Sequence, residues 1–169
     1  MKATSNAVNG DFLVREIRSA DDTSMARILR ETLLEHGAAK PGTAYYDEST
    51  DALSAHFTDP RSIYLVAEVN REVVGGVGIY PTDGLPEGTC ELVKMYIDKD
   101  FRGFGIGKKL IAQAMDFARA KGYKKIYLES MPELRKAVAV YEHLGFTHLP
   151  APLGNTGHFS CPIWMILEL

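Results

Sequence analysis

The 169-residue chain lacks the features that would mark it as a secreted, membrane or nucleic-acid-binding protein. Its two cysteines, Cys90 and Cys161, are too few for a disulfide scaffold and favour reduced, buried thiols. No apolar run approaches the roughly 20 residues that a membrane span needs, and "MKATSNAVNG" has no apolar stretch typical of a signal peptide. A net charge of −3 argues against a general nucleic-acid or membrane-surface binder. We therefore expect a cytoplasmic protein with neither kind of partner.

What is present is typical of one globular domain. Hydrophobic residues make up 46% of the chain and charged residues 24%, which are ordinary values for a folded protein. There is no internal repeat, low-complexity segment or linker. We expect residues 1–10 to form a flexible lead-in and residues 11–169 to form a single domain.

Periodicity and turn residues predict the element order βααβββαβαβ. Strand-like runs such as "SIYLVAEV" and "CELVKMYID" are separated by helix-like runs that end at Gly37, Gly122 and Gly145. Asn70-Arg71 stands between two β-rich runs and indicates a hairpin. The run "DESTDALSAHF" is a short helical candidate. Together these elements predict an α/β protein built around one mixed sheet.

The segment "RGFGIGKKL" has three glycines at a junction between a strand and a helix. Gly103, Gly105 and Gly107 give G-x-G-x-G, whereas a dinucleotide-binding turn needs G-x-G-x-x-G. A mononucleotide P-loop needs Ser or Thr after its Gly-Lys pair, and Lys109 stands there instead. Neither familiar phosphate loop fits.

Two motifs in order resemble those of the GNAT superfamily of acyl-CoA-dependent N-acetyltransferases. The family loop [RQ]-x-x-G-x-[GA] is matched by Arg102, Gly105 and Gly107. The later helix "LRKAVAVYEHLGF" resembles N-x-x-A-x-x-x-Y-x-x-x-G-F, with Leu134 in place of the asparagine. The resemblance covers about residues 11–169. It implies a single-domain GNAT-like fold with a mixed, mostly antiparallel sheet, helices on both faces and splayed central strands.

The resemblance also implies acetyl-CoA as cosubstrate. At the start of a helix, glycines leave the backbone N–H groups exposed because they have no Cβ atom. The helix dipole at this end favours anions, so a pyrophosphate is a suitable ligand for the turn. The implied phosphate-binding residues are Arg102, Gly103, Phe104, Gly105, Ile106, Gly107 and Lys108, with Lys109 as added charge. The backbone of Met95, Tyr96 and Ile97 would pair with the pantetheine arm, and the N–H near Met95 could bind the thioester carbonyl.

Transfer to an amine needs a neutral nucleophile, and Glu91 is the candidate general base. By strand alternation Glu91 shares a face with Val93, Met95 and Ile97, so we expect partial burial and a raised pKa. Glu129 is the reserve candidate. By the resemblance, Tyr141 protonates the departing thiolate of coenzyme A, although it could instead be a core tyrosine.

The remaining candidates concern the acceptor. Tyr45 and Tyr46 could wall a substrate or pack on the sheet edge, and His158 could border the acceptor pocket. His158 and Cys161 have metal-like spacing without further ligands, so we expect no metal. We expect an N-acetyltransferase that acts on a small-molecule or peptide amine in a ternary complex. The alternative is a non-catalytic acyl-CoA sensor, although a sensor needs neither Glu91 nor Tyr141. The sequence fixes neither the acceptor nor the oligomeric state, for which a homodimer is the commonest form.

Overall fold

The computed structural model describes residues 11–169, so the expected flexible segment 1–10 lies outside the described residues. The strands are β1 (Leu13–Glu16), β2 (Ile63–Val69), β3 (Glu72–Tyr80), β4 (Thr89–Ile97), β5 (Lys125–Ser130), β6 (Thr147–His148) and β7 (Ile163–Glu168). The helices are α1 (Asp22–Glu35), α2 (Leu53–His56), α3 (Ile106–Ala120) and α4 (Arg135–His143).

The seven strands within residues 11–169 belong to one sheet, in the order β1-β2-β3-β4-β5-β7-β6. Every neighbouring pair is antiparallel except β4 and β5, which are parallel. The parallel ladder joins residues 89–91 of β4 to residues 125–127 of β5 and stops there. Because β4 continues to Ile97, its second half is unpaired on the β5 side. The expected sheet with splayed central strands is confirmed.

Residues with left-handed backbone occur at two places in the middle of the sheet, in the turn between β2 and β3 and within β4. Asn70 and Arg71 have φ values of 50° and 68°, which fits the tight turn expected between β2 and β3. Lys94 has a φ of 49° and lies in a β-bulge, because Val93 pairs with Gly78 while Tyr96 pairs with Gly76.

The bulge corrects one sequence prediction. Glu91, Val93, Met95 and Ile97 do not share one face, since the extra residue reverses the alternation after Val93. Val93 packs with the α1 and α2 layer, whereas Met95 and Ile97 pack with the α3 and α4 layer. Val93 therefore lies on the opposite side of the sheet from Met95 and Ile97.

Helices cover both faces of the sheet, as predicted. Tyr64 and Val66 of β2 pack under α1 and α2, and the alternate residues Leu65 and Ala67 pack under α3 and α4. Cys90 is free and buried, and Cys161 is free and half-buried. Among the helices of residues 11–169, none is both long enough and apolar enough to cross a membrane.

Two local elements differ from the sequence prediction. The helical candidate in residues 47–57 divides into a 3-10 turn, Glu48–Asp51, and the single turn of α2. The division occurs at Ala52, whose φ of −143° is not helical. In the 3-10 turn, the Thr50 hydroxyl donates to the Ala44 carbonyl, and the Asp51 carboxylate pairs with the Arg30 guanidinium. The two-residue strand β6 was not predicted, being too short for a period-two pattern.

Candidate active site

The glycine turn opens α3 with unpaired N–H groups. Gly103 and Gly105 have φ values of 87° and 82°, which glycine adopts readily, and Gly105 is the helix N-cap. The N–H of Lys109 donates to the Gly105 carbonyl as the first bond of the helix. The N–H groups of the preceding residues, 106–108, have no partner within the helix and face outward from a positive dipole end.

Gly107 brings the start of α3 directly against the end of β4. A Cβ atom at Gly107 would lie 2.9 Å from Ile97 Cδ1 and 3.2 Å from Met95 Cε. A side chain at this position would require the ends of the Ile97 and Met95 side chains to shift. The turn and the unpaired half of β4 are therefore held side by side.

A long groove of about 1120 Å³ runs along this junction. Its walls come from the end of β4, the glycine turn, α1 and α4. The predicted cofactor residues in its lining are Met95, Tyr96, Ile97, Arg102, Gly103, Gly105, Ile106, Gly107 and Lys108. Phe104 packs against the core instead.

The positive charges of the turn have different surroundings. The Arg102 guanidinium donates to the Ile97 carbonyl at 3.0 Å and to Glu35 at 3.0 Å, which ties α1 to the end of β4. The hydrogen bond from Arg102 lowers the pKa of Glu35. Lys109 Nζ lies 4.9 Å from the centre of the Phe12 ring, and Lys108 lines the groove. Arg102 is thus a structural brace as well as a groove residue.

A small cavity of about 60 Å³ lies where β4 and β5 separate. Glu91, Glu129 and His158 line it, and one polar atom of each lies within 4.8 Å of the others. Glu91 is only 4% exposed and accepts a 2.5 Å hydrogen bond from Thr82 Oγ1. Burial raises the pKa of Glu91 to about 7, against the lowering effect of that hydrogen bond.

Glu129, the reserve candidate, reaches the same cavity from β5. Its carboxylate accepts hydrogen bonds from Tyr127 at 2.6 Å and from the Thr156 hydroxyl. Both donors are neutral hydroxyls, and no Lys or Arg of residues 11–169 forms an ion pair with this carboxylate. The structure brings together three residues that the sequence nominated separately.

A charged network that sequence reasoning missed supports His158. Asp47 Oδ2 lies 2.8 Å from His158 Nε2 and 2.6 Å from Lys94 Nζ. The Lys94 side chain is 7% exposed, so its charge is nearly buried. Burial would raise the pKa of Asp47, but the His158 hydrogen bond and the Lys94 charge together lower it to about 2. No sequence pattern links these three distant residues.

The two predicted tyrosines of the early loop do not line the small cavity. Tyr45 lies under Arg30, whose guanidinium carbon is 5.7 Å from the ring centre, and packs against buried residues. Tyr46 is 62% exposed. Their neighbour Asp47 is the residue of this loop that contacts His158.

Tyr141 lies between the groove and the small cavity and lines both. It is 6% exposed, and its hydroxyl makes no hydrogen bond with any of residues 11–169. Burial raises the pKa of this hydroxyl well above its usual value, so it carries its proton at neutral pH. Leu134, in the place of the usual asparagine, also lines both spaces.

Comparisons with known proteins agree with this geometry. The model of the Acetyltransferase (GNAT) family matches residues 24–146. The uncharacterized N-acetyltransferase YjgM of Escherichia coli K12 is 41% identical over 93% of this chain and 95% of its own length. Human N-acetyltransferase 8B is 34% identical over 64% of this chain and 51% of its own length.

Solved structures share the fold at lower identity. An acetyltransferase of the GNAT family from Staphylococcus aureus Mu50 has a TM-score of 0.81 and 17% identity, over 94% of this chain and 99% of its own. The protein yncA of Salmonella typhimurium, solved with its cofactor acetyl-CoA, has a TM-score of 0.71 and 22% identity, over 93% of both chains. The family match, the similarity to YjgM over nearly the whole chain and the shared fold show that the chain belongs to the GNAT acetyltransferase family and is an acyltransferase.

Proposed function

We propose that this enzyme transfers the acetyl group of acetyl-CoA to a primary amine by direct attack within a ternary complex. The observation that carries the proposal is the meeting of two spaces at one point. Met95, Tyr96 and Tyr141 line both the long groove and the small cavity. A thioester at the inner end of the groove would therefore face an amine in the cavity.

The groove suits acetyl-CoA at both of its ends. At the glycine turn, free N–H groups at a helix start fit a pyrophosphate. Along β4, the backbone from Leu92 to Ile97 has no partner on the β5 side, so it can pair with the pantetheine arm as an added strand. The yncA structure with acetyl-CoA, and that of PaiA from Thermoplasma acidophilum with coenzyme A, show similar folds holding this ligand.

The β4 bulge supplies a candidate donor for the thioester oxygen. Lys94 and Met95 fall between the ladder pairs of Val93 and Tyr96, so the pairing with β3 is irregular at this point. An N–H aimed into the junction would stabilise the negative oxygen that forms as the amine attacks.

Glu91 is the proposed general base. An alkylamine with a pKa near 10.4 is neutral in only about one molecule in 10³ at pH 7, so the amine must lose a proton before it attacks. A buried carboxylate with a pKa of about 7 matches that task. Glu129 in the same cavity is the second candidate.

Tyr141 is the proposed general acid. Its hydroxyl is protonated, has no hydrogen-bond partner among residues 11–169 and lies between the two spaces. The thiolate leaves toward the groove as the carbon–sulfur bond breaks, and Tyr141 can give it a proton there.

The test is a screen for acetyl-CoA turnover across amino acids, polyamines, aminoglycoside-like antibiotics and short peptides. Thiol release is followed by colorimetry, and the acetylated amine is identified by mass spectrometry. Reactions without amine correct for hydrolysis of the thioester. Amine-dependent thiol release with an N-acetyl product is expected. Failure of every amine class, with acetyl-CoA bound, would contradict the proposal.

A further inference from the structure

Three hydrogen-bond acceptors surround one point in the small cavity. Glu91, Glu129 and a ring nitrogen of His158 present atoms no more than 4.8 Å apart. Any three atoms so spaced have a common point within 4.8/√3, or about 2.8 Å, of each, which is the usual N–H···O length. A primary ammonium nitrogen at that point, which the proposed amine acceptor would supply, lies within hydrogen-bond reach of all three groups.

One carboxylate oxygen at this cavity has no hydrogen-bond partner in the described part of the chain. Glu91 Oε2 accepts from Thr82, but Glu91 Oε1 makes no hydrogen bond with any of residues 11–169. The side chain is more than nine-tenths buried and lines the cavity. The cavity of about 60 Å³ has room for a small cationic group that can donate to this oxygen.

Asp47 determines which nitrogen of His158 can accept. Since the pKa of Asp47 is about 2, its carboxylate is ionised and can only accept, so His158 Nε2 must be the donor. In the neutral ring this leaves Nδ1 with a lone pair. Lys94, nearly buried against Asp47, offsets the charge of the carboxylate.

We propose that Glu91, Glu129 and His158 form an ammonium site, which binds the acceptor as a primary ammonium ion through its three N–H groups. The idea rests on the proposed function and adds the ionic form and the class of the acceptor. One N–H bond of the ammonium then breaks, its proton passes to Glu91, and the electron pair remains on nitrogen for attack. Asp47 is a positioning residue, because it acts through His158.

The ammonium site discriminates among amines by the number of N–H groups on the nitrogen and by the charge of the groups next to it. A secondary ammonium has two N–H groups, so one acceptor would be left without a donor, and a quaternary ammonium has none. A carboxylate next to the amine would face Glu91 and Glu129 at close range. The preferred acceptor is therefore an unbranched primary alkylammonium rather than an α-amino acid.

The test is calorimetric titration of the coenzyme A-bound protein at pH 8 with butylamine, N-methylbutylamine and butyltrimethylammonium. We expect butylamine to bind at least about tenfold more tightly than the N-methyl compound, since one charge-assisted hydrogen bond is lost. Glu129→Gln should weaken butylamine binding about tenfold. Glu48→Gln, an exposed residue of the same loop as Asp47, makes the same charge change outside the cavity and should leave binding unchanged.

Asp47→Asn should raise the KM of an active amine about tenfold with a smaller change in kcat, because the His158 tautomer is no longer fixed. Equal affinity for the primary and N-methyl amines, no butylamine binding, or an unchanged affinity in Glu129→Gln would each overturn the ammonium site. Zinc binding that is tighter than butylamine and lost in Glu129→Gln would identify a metal site instead. These binding results do not depend on turnover, so a failure of the proposed transfer reaction would be separately visible as absent thiol release.

Discussion

Replacing Glu91 with glutamine tests the proposed base with little change of shape. At pH 7 a base with a pKa of about 7 is about half ionised, so wild-type kcat/KM should rise through neutral pH and level off above it. Glu91→Gln should lower kcat/KM about 10²-fold at pH 7, the usual contribution of a positioned base. The deficit should shrink at high pH, where more of the amine is already neutral.

The same substitution has a predicted effect on stability. Folding raises the pKa of Glu91 from 4.5 to about 7, so the folded state favours the protonated form. This contribution is complete below pH 4.5 and is lost as pH rises to about 7, at about 1.4 kcal/mol per pKa unit, or about 3 kcal/mol in all. Urea unfolding at pH 5 and pH 8 should show most of this loss in wild type and none of it in Glu91→Gln.

Thr82→Val provides the matched control. The hydrogen bond from Thr82 lowers the pKa of Glu91, so its removal should move the rise in kcat/KM to higher pH while the high-pH plateau is retained. If Glu91→Gln keeps the wild-type pH profile, Glu91 is not the group that titrates. If Glu129→Gln loses activity in its place, the two roles are reversed.

Three other changes test separate parts of the site. Tyr141→Phe should lower turnover about 10²-fold while acetyl-CoA affinity stays within about 1 kcal/mol, measured by thiol release and calorimetry; equal turnover would make Tyr141 a core residue. Gly105→Val should weaken coenzyme A binding by about 2 kcal/mol, roughly thirtyfold. Gly122→Val is the control, because Gly122 has a matching φ of 83° and equally open surroundings at the other end of α3, and it should leave binding unchanged. Similar losses in both variants would show that the turn is not part of the site. Asp47→Ala should lower the free energy of unfolding by about 3 kcal/mol, because Lys94 would stay buried without its partner. Adding Lys94→Met to Asp47→Ala should restore part of the lost free energy. If the losses of the two single variants simply add in the double variant, the pairing is contradicted.

Much of the fold could be predicted because its causes are local. Glycines at Gly37, Gly122 and Gly145 all have positive φ at helix ends, where no Cβ clash opposes that conformation. The hairpin at Asn70-Arg71 and the strand-to-helix turn before α3 could also be predicted from the sequence. The β4 bulge could not be predicted, because a single lysine in left-handed backbone carries no sequence pattern.

The site was only partly predictable for the same reason. Glu91 and Tyr141 could be nominated from a strand and a helix motif, and the structure places both at the small cavity. Asp47 meets Lys94 and His158 only through tertiary contacts between segments far apart in the chain, and Thr82 reaches Glu91 from the loop that precedes β4. In the early loop Asp47 makes the contact to His158, and it carries no motif that distinguishes it from the neighbouring Tyr45 and Tyr46.

The most direct test of the central claim is the pH dependence of acetyl transfer by wild type and Glu91→Gln, measured with one active amine. Product is quantified by mass spectrometry alongside thiol release. The proposed function predicts N-acetylated amine from wild type, with a rise in rate near pH 7 that is absent in the variant. An absence of acetylated amine from wild type, or an identical pH profile in the two proteins, would contradict it.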